Sequence, residues 1–173
     1  WTAANVFRRI GVGDNVVQGL KRDYLLVKAT AGHGERGVAS RWRFVHVMGG
    51  TRSATTLGFL FDVVRDRTED TWVRYGAVRS WVECLLLQAA RADRKRAIED
   101  MCKAIDEMRE RRDVRVLVEL LKCESISPDH KSPKGWSEDF LRLHRCSIEA
   151  AQRIGEQHQA RVWAESLAAR DGR

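Results

Sequence analysis

From Gly37 onward, apolar residues recur at three- and four-residue intervals, broken by short polar links. That spacing belongs to amphipathic helices, each laying one stripe on a core. It predicts helices over about residues 37–48, 54–66, 71–91, 93–110, 112–124, 137–156 and 158–170. Ser53 and Asp70 stand just ahead of the second and third, where a side-chain oxygen takes up amides that open a helix. Gly49-Gly50 closes the first, and the expected reason is that glycine adopts left-handed angles at little cost. The only prolines, Pro128 and Pro133, fall in Glu124–Gly135, which predicts a long loop over 124–136. Residues 1–36 are less regular. Glycines at 11, 13, 19, 32 and 34 interrupt the apolar segments there, so a short helix or an extended, poorly ordered arm is expected.

The helices also show a period. A shift of 39 residues carries Val38, Ala39, Trp42 and Val45 onto Ala77, Val78, Trp81 and Cys84, and these onto Val116, Leu117, Leu120 and Cys123. All twelve are apolar, and the spacing i, i+1, i+4, i+7 marks one helix face. The next step lands on Gly155, Glu156 and Gln159, as it would if the long loop were an insertion. Two amphipathic helices can always be slid into some register, so a chance alignment stands beside a true repeat.

Residues 57–81 carry a further pattern: a leucine-rich segment, the acidic link at Asp70, the pair Val73-Arg74, and the small residue Ala77 three positions beyond the arginine. This stretch resembles a HEAT-type helical repeat, and Asp113 followed by Val114-Arg115 is a partial echo. The family's usual proline is missing. The resemblance implies that Asp70 and Arg74 stabilise the turn between paired helices and bond to neighbouring repeats. Period and resemblance together set the expected fold class: all-α, a short α-solenoid of antiparallel helix pairs with six to seven helices. An N-terminal arm over 1–36 would precede a helical-repeat domain over 37–173.

Composition agrees with a folded, soluble domain: 173 residues, 43% apolar and 32% charged. A chain of this size buries roughly 68–70% of its unfolded surface, enough to be stable without disulfides or metal. No apolar run approaches the roughly 18–20 residues of a membrane span. Lys and Arg number 31 against 24 acidic residues, a formal charge of +7, which makes an acidic partner, nucleic acid or an anionic membrane surface physically plausible. Between Arg91 and Arg112, however, the two signs interleave at helical spacing, as on a solvated helix face. Cys84, Cys102, Cys123 and Cys146 contain no C-x-x-C pair and read mostly as buried thiols of a reducing, intracellular compartment. The chain begins Trp1-Thr2-Ala3-Ala4 without an initiator methionine. Trimming accounts for that, and so does cleavage of an organelle targeting segment, which makes the mitochondrial matrix an expected address beside the cytoplasm.

Catalytic signatures are weak. Gly32-His33-Gly34-Glu35-Arg36-Gly37 fits a dinucleotide fingerprint, but no alternation of strand and helix follows it, so a glycine-rich link is expected. The five histidines form no metal-binding spacing, and carboxylate pairs such as Glu99-Asp100 and Asp106-Glu107 sit beside cations as surface pairs do. The expectation is a non-enzymatic protein with no catalytic residues, cofactor, metal or small-molecule ligand.

Of six tryptophans, Trp42 and Trp81 lie in the repeat stripe and are expected in the core. Trp72 lies beside Arg74, Tyr75 and Arg79, and these four are the candidate partner-binding residues. The leading reading is a helical-repeat scaffold or accessory subunit that docks onto the protein subunits of a larger assembly. The alternative is an arginine-lined nucleic-acid binder, with a DNA glycosylase built on Asp70 and Trp72 as a more remote enzymatic form. Arg36, Arg41, Arg43, Arg74 and Arg79 discriminate: convergence on one stripe favours nucleic acid, and pairing with local carboxylates favours the scaffold.

Overall fold

The computed structural model describes residues 2–51, 53–88, 91–121 and 138–171. Among them every regular element is helical: α1 (Thr2–Ile10), α2 (Asp14–Ala31), α3 (Glu35–Met48), α4 (Ala54–Arg65), α5 (Thr71–Gln88), α6 (Arg91–Asp106), α7 (Val114–Leu121), α8 (Glu138–Arg153) and α9 (Gln157–Asp171), with a 3-10 turn at Arg111–Asp113. The fold class is all-α, and the seven helices expected from residue 37 onward are α3 to α9. Cys123 and the loop expected over 124–136 lie outside the described residues. Within them, no helix is long and apolar enough to cross a membrane. The chain divides into two compact units, residues 1–89 and 90–173.

The first unit stacks two antiparallel helix pairs, the arrangement of a short α-solenoid. In the pair α4/α5, Arg74 Nε donates to the Val64 carbonyl at 2.9 Å and the Cys84 thiol to the Ser53 carbonyl at 3.8 Å, which fixes opposite directions. The pair α2/α3 folds back at Gly32, whose φ of 54° is the left-handed region that favours glycine. Like helices of the two pairs run parallel. Along α2 and α4, Ser53 donates to Asp14 at 2.6 Å, Tyr24 meets Phe59 edge-on at 5.1 Å, and Lys28 pairs with Asp66. Along α3 and α5, a side chain at Gly76 would meet the Trp42 ring, and one at Gly49 would meet Ser80.

Residues 2–31, expected as a short helix or arm, thus supply two helices, and α2 is an integral half of the first pair. The sequence hides this because α2 buries only Val17 and Tyr24, two positions seven apart with polar residues between. Burial also qualifies the 39-residue register. Ala77, Val78, Trp81 and Cys84 are all buried, as are Val116, Leu117 and Leu120, but Ala39 is exposed and Trp42 half-buried. On α3 the inner stripe is Gly37, Arg41, Val45 and Met48, so a charged residue holds a place that the apolar alignment gives to its neighbours.

The second unit is built around α8, which packs on α6, α7 and α9. Glu99–Arg142 and Asp106–Arg153, each at 3.5 Å, show that α6 and α8 run parallel. Ile98, Met101, Ile105, Leu117, Leu120 and Leu143 form its apolar interior. The turn before α7 is closed by a reciprocal cap in which buried Asp113 accepts from the amides of Arg109 at 3.3 Å and Glu110 at 3.2 Å.

Gly49 and Gly50 do end α3, but for a different reason from the one expected. Gly49 has φ −58°, an ordinary right-handed angle. What requires glycine is proximity: a Cβ on Gly49 would lie 2.8 Å from Ser80 Cβ, and one on Gly50 would run into the Ala4 carbonyl of α1. Gly58, in the interior of α4, faces open space instead. Gly49→Ala is therefore expected to cost about 1–3 kcal/mol by overpacking. Gly58→Ala is expected to stabilise by about 0.5–1 kcal/mol through helix propensity. Urea unfolding of the two variants checks the opposite signs.

Candidate functional site

The link between α4 and α5 carries Asp66, Thr68, Glu69 and Asp70, and it is anchored from beneath. Arg41 of α3 is completely buried and donates through Nε and Nη2 to the carboxylate of Glu69, at 2.9–3.1 Å, and through Nη1 to the Gly32 carbonyl at 2.7 Å. Tyr24 of α2 donates its hydroxyl to the other side of the same carboxylate at 2.5 Å. The Asp70 amide donates to Glu69 Oε1 at 2.7 Å. Lys28 pairs with Asp66 and stands 4.0 Å from Glu69. Two helices and one link therefore meet on a single buried carboxylate.

A buried ion pair of this kind is expensive to desolvate, and it is tolerated only where hydrogen bonds satisfy both partners, as they do here. The site moves the titration of its neighbours. Burial, followed by the hydrogen bond to Glu69 and that residue's charge, pushes the Tyr24 hydroxyl far above its ordinary range. Burial alone would raise Asp66, but hydrogen bonds from Lys28 and Thr68 outweigh it and hold its carboxyl below the usual value.

Above this clasp, the link delivers the start of α5. Asp70 Oδ1 accepts from the Trp72 amide at 2.8 Å, so the aspartate is the helix cap that its position suggested. Trp72 is 53% exposed, the only aromatic among the exposed large apolar side chains of the described residues. Its ring meets the half-buried Tyr75 ring edge-on at 5.6 Å. Arg79, with 41% of its side chain exposed, stands 3.7 Å from Glu83. Residues 72, 75 and 79 share one face by the i, i+3, i+7 rule. The result is a short aromatic and cationic strip at the capped start of α5.

Arg74 does not belong to that strip. It is 2% exposed and its guanidinium turns inward to the Val64 carbonyl, where it joins α5 to α4. Its place among the candidate partner-binding residues is corrected accordingly: adjacent positions on a helix point different ways, and residue 74 faces the core. Of the five discriminating arginines, Arg41 and Arg74 are internal, Arg79 neighbours Glu83, and Arg36 and Arg43 are exposed. They form no common stripe. The Gly32–Gly37 segment is the turn between α2 and α3 together with the first residues of α3, and the run before it is helix, so it offers no strand-borne phosphate cradle.

Sequence reading missed the clasp. Tyr24 stood in an apolar run, Arg41 was one of five arginines expected either on a common stripe or paired with local carboxylates, and Glu69 carried no expectation of its own. The one available signal was arginine on the stripe side of α3, at a position i−4 from Val45. No protein-family model, curated protein or solved structure matches the chain.

Glu69→Ala strands the Arg41 charge in the core and is expected to cost about 3–5 kcal/mol, against less than about 1 kcal/mol for exposed Lys103→Ala, by denaturant unfolding. Tyr24→Phe is expected to cost about 1.5–3 kcal/mol, the value of a hydrogen bond to a charged group. Because the folded state holds the Tyr24 proton more tightly, its contribution is full below about pH 10 and is lost as pH rises beyond that. Asp66 acts oppositely, contributing above about pH 4 and less as the pH falls further. A stability profile in pH should therefore lose part of its alkaline decline in Tyr24→Phe.

Proposed function

We propose that the chain is a non-catalytic helical-repeat scaffold or accessory subunit, and that it docks onto protein subunits of a larger assembly through Trp72, Tyr75 and Arg79. The observation that carries this reading is the exposed Trp72 at the capped start of α5, held over a fully hydrogen-bonded buried clasp. Interface hot spots are enriched in Trp, Tyr and Arg, and they bind best when their geometry is fixed before the partner arrives. The stacked antiparallel pairs of the first unit support the HEAT-like reading, as do Asp70 capping α5 and Arg74 bonding across to α4. The basic, arginine-rich composition supports an intracellular, mitochondrial address for that assembly.

Nucleic-acid binding is the second reading, and the formal charge of +7 is what favours it. Against it stands the internal use of Arg41 and Arg74.

The deciding experiment isolates the native protein at moderate salt, with and without nuclease, beside a Trp72→Ala/Tyr75→Ala variant, and identifies the co-isolating proteins by mass spectrometry. A defined protein set should survive nuclease and fall at least about tenfold in the variant, with helical content unchanged. Loss of the large species on nuclease treatment would make the basic surface the site. Equal retention by wild type and variant would remove Trp72 and Tyr75 from the interface. Arg74→Ala, by contrast, is expected to act on stability, lowering the unfolding midpoint of the isolated protein.

A further inference from the structure

The parallel helices α6 and α8 bring two cysteines together. Cys102 lies three residues after Glu99 and four before Asp106, and Cys146 lies four after Arg142 and seven before Arg153. The Glu99–Arg142 and Asp106–Arg153 pairs, each at 3.5 Å, therefore bracket both cysteines along one helix seam. Within that bracket, where α6 packs on α8, the register sets the two thiols side by side on the seam, close enough for each to shift the other's titration. Both are free thiols. Their surroundings differ: Cys102 is buried, at 4% exposed, whereas Cys146 is only partly covered.

We propose that Cys102 and Cys146 are an oxidisable thiol pair, which a hydroperoxide converts into a disulfide joining α6 to α8. Cys146 is the attacking thiol, because it is the more accessible of the two. The neighbouring Cys102 thiol draws its titration below the ordinary thiol value, against the opposing effect of burial. In the first step the Cys146 thiolate attacks one peroxide oxygen. The O–O bond breaks, Cys146 becomes a sulfenic acid, and the leaving oxygen departs as water or alcohol with the proton that Cys146 has shed. In the second, the Cys102 sulfur attacks the Cys146 sulfur. The S–O bond breaks, a second water carries off the oxygen with the Cys102 proton, and the S–S bond forms. Two thiols supply the two electrons that reduce the peroxide.

Cys84 provides an internal contrast. It is fully buried in the first unit, donates to the Ser53 carbonyl, and burial pushes its thiol up to about 12. The oxidised seam would fix α6 against α8, whereas in the reduced state apolar packing and the two flanking ion pairs hold it. Nothing in this proposal depends on the docking face of α5.

The test treats the full-length protein with hydrogen peroxide, quenches with an alkylating agent and maps tryptic peptides. The expected product has lost two hydrogens, links peptides 97–103 and 146–153, and returns to the thiol form with dithiothreitol. In Cys102→Ser the reaction should stop at a Cys146 sulfenic acid that dimedone traps. A Cys146 that passes to sulfinic acid in wild type without the cross-link would overturn the proposal, as would a cross-link through Cys84 or Cys123. Should Cys102→Ser fold poorly, wild-type alkylation kinetics decide instead: iodoacetamide should modify Cys146 at least about tenfold faster than Cys84. Equal rates would sink the assignment of Cys146 as the attacking thiol.

Discussion

The first unit depends on one buried carboxylate. Glu69 receives Arg41 from α3, Tyr24 from α2 and the Asp70 amide from its own link, all at 2.5–3.1 Å. Each donor comes from a different segment, so the carboxylate is satisfied only when the two helix pairs are stacked in the correct register. Apolar stripes tolerate sliding, because one leucine packs much like another. A planar guanidinium facing a carboxylate does not. The hydrophobic surface of Val45, Met48, Leu60, Val64, Val78 and Trp81 supplies the drive to collapse, and the clasp supplies the choice among collapsed arrangements.

The same constraint shapes the surface. The link that carries Glu69 continues into Asp70, whose side chain caps α5 and sets Trp72 outward. Arg74 then bonds inward to the carbonyl of Val64, so within a single turn of helix a core arginine stands between Trp72 and Tyr75 of the outward strip. The docking proposed for Trp72, Tyr75 and Arg79 draws on this fixed base, since side chains held in place before a partner arrives have less freedom to lose on binding. In the second unit the polar contacts lie elsewhere, in the capped turn around Asp113 and in the ion pairs that flank the Cys102–Cys146 seam.

Local signals in the sequence were legible where short-range physics decides them. Ser53 accepts from the Thr55 amide and Asp70 from the Trp72 amide, and α4 and α5 begin where those caps place them. The stripe Ala77, Val78, Trp81 and Cys84 is buried as its spacing requires. What the sequence concealed is set by partners distant along the chain. Tyr24 and Glu69 are 45 residues apart, and Arg41 and Glu69 are 28 apart, so neither pairing has a local signature. The same holds for Cys102 and Cys146, whose meeting depends on the parallel course of α6 and α8. Of the four residues expected to bind a partner, Trp72 is exposed and Tyr75 and Arg79 are partly covered. The fourth, Arg74, was misassigned because helix phase, and not proximity in sequence, decides which way a side chain points.

The central claim is that the clasp makes α2–α3 and α4–α5 one cooperative body. Hydrogen exchange followed by mass spectrometry measures this directly, peptide by peptide, in the intact protein. The account expects buried amides of α2, α3, α4 and α5 to open with one shared free energy in wild type. It expects Glu69→Gln, which keeps the shape of the side chain but removes its charge, to release α2 and α3 first. Independent opening of α2–α3 in the wild-type protein, or an unchanged shared value in Glu69→Gln, would contradict it.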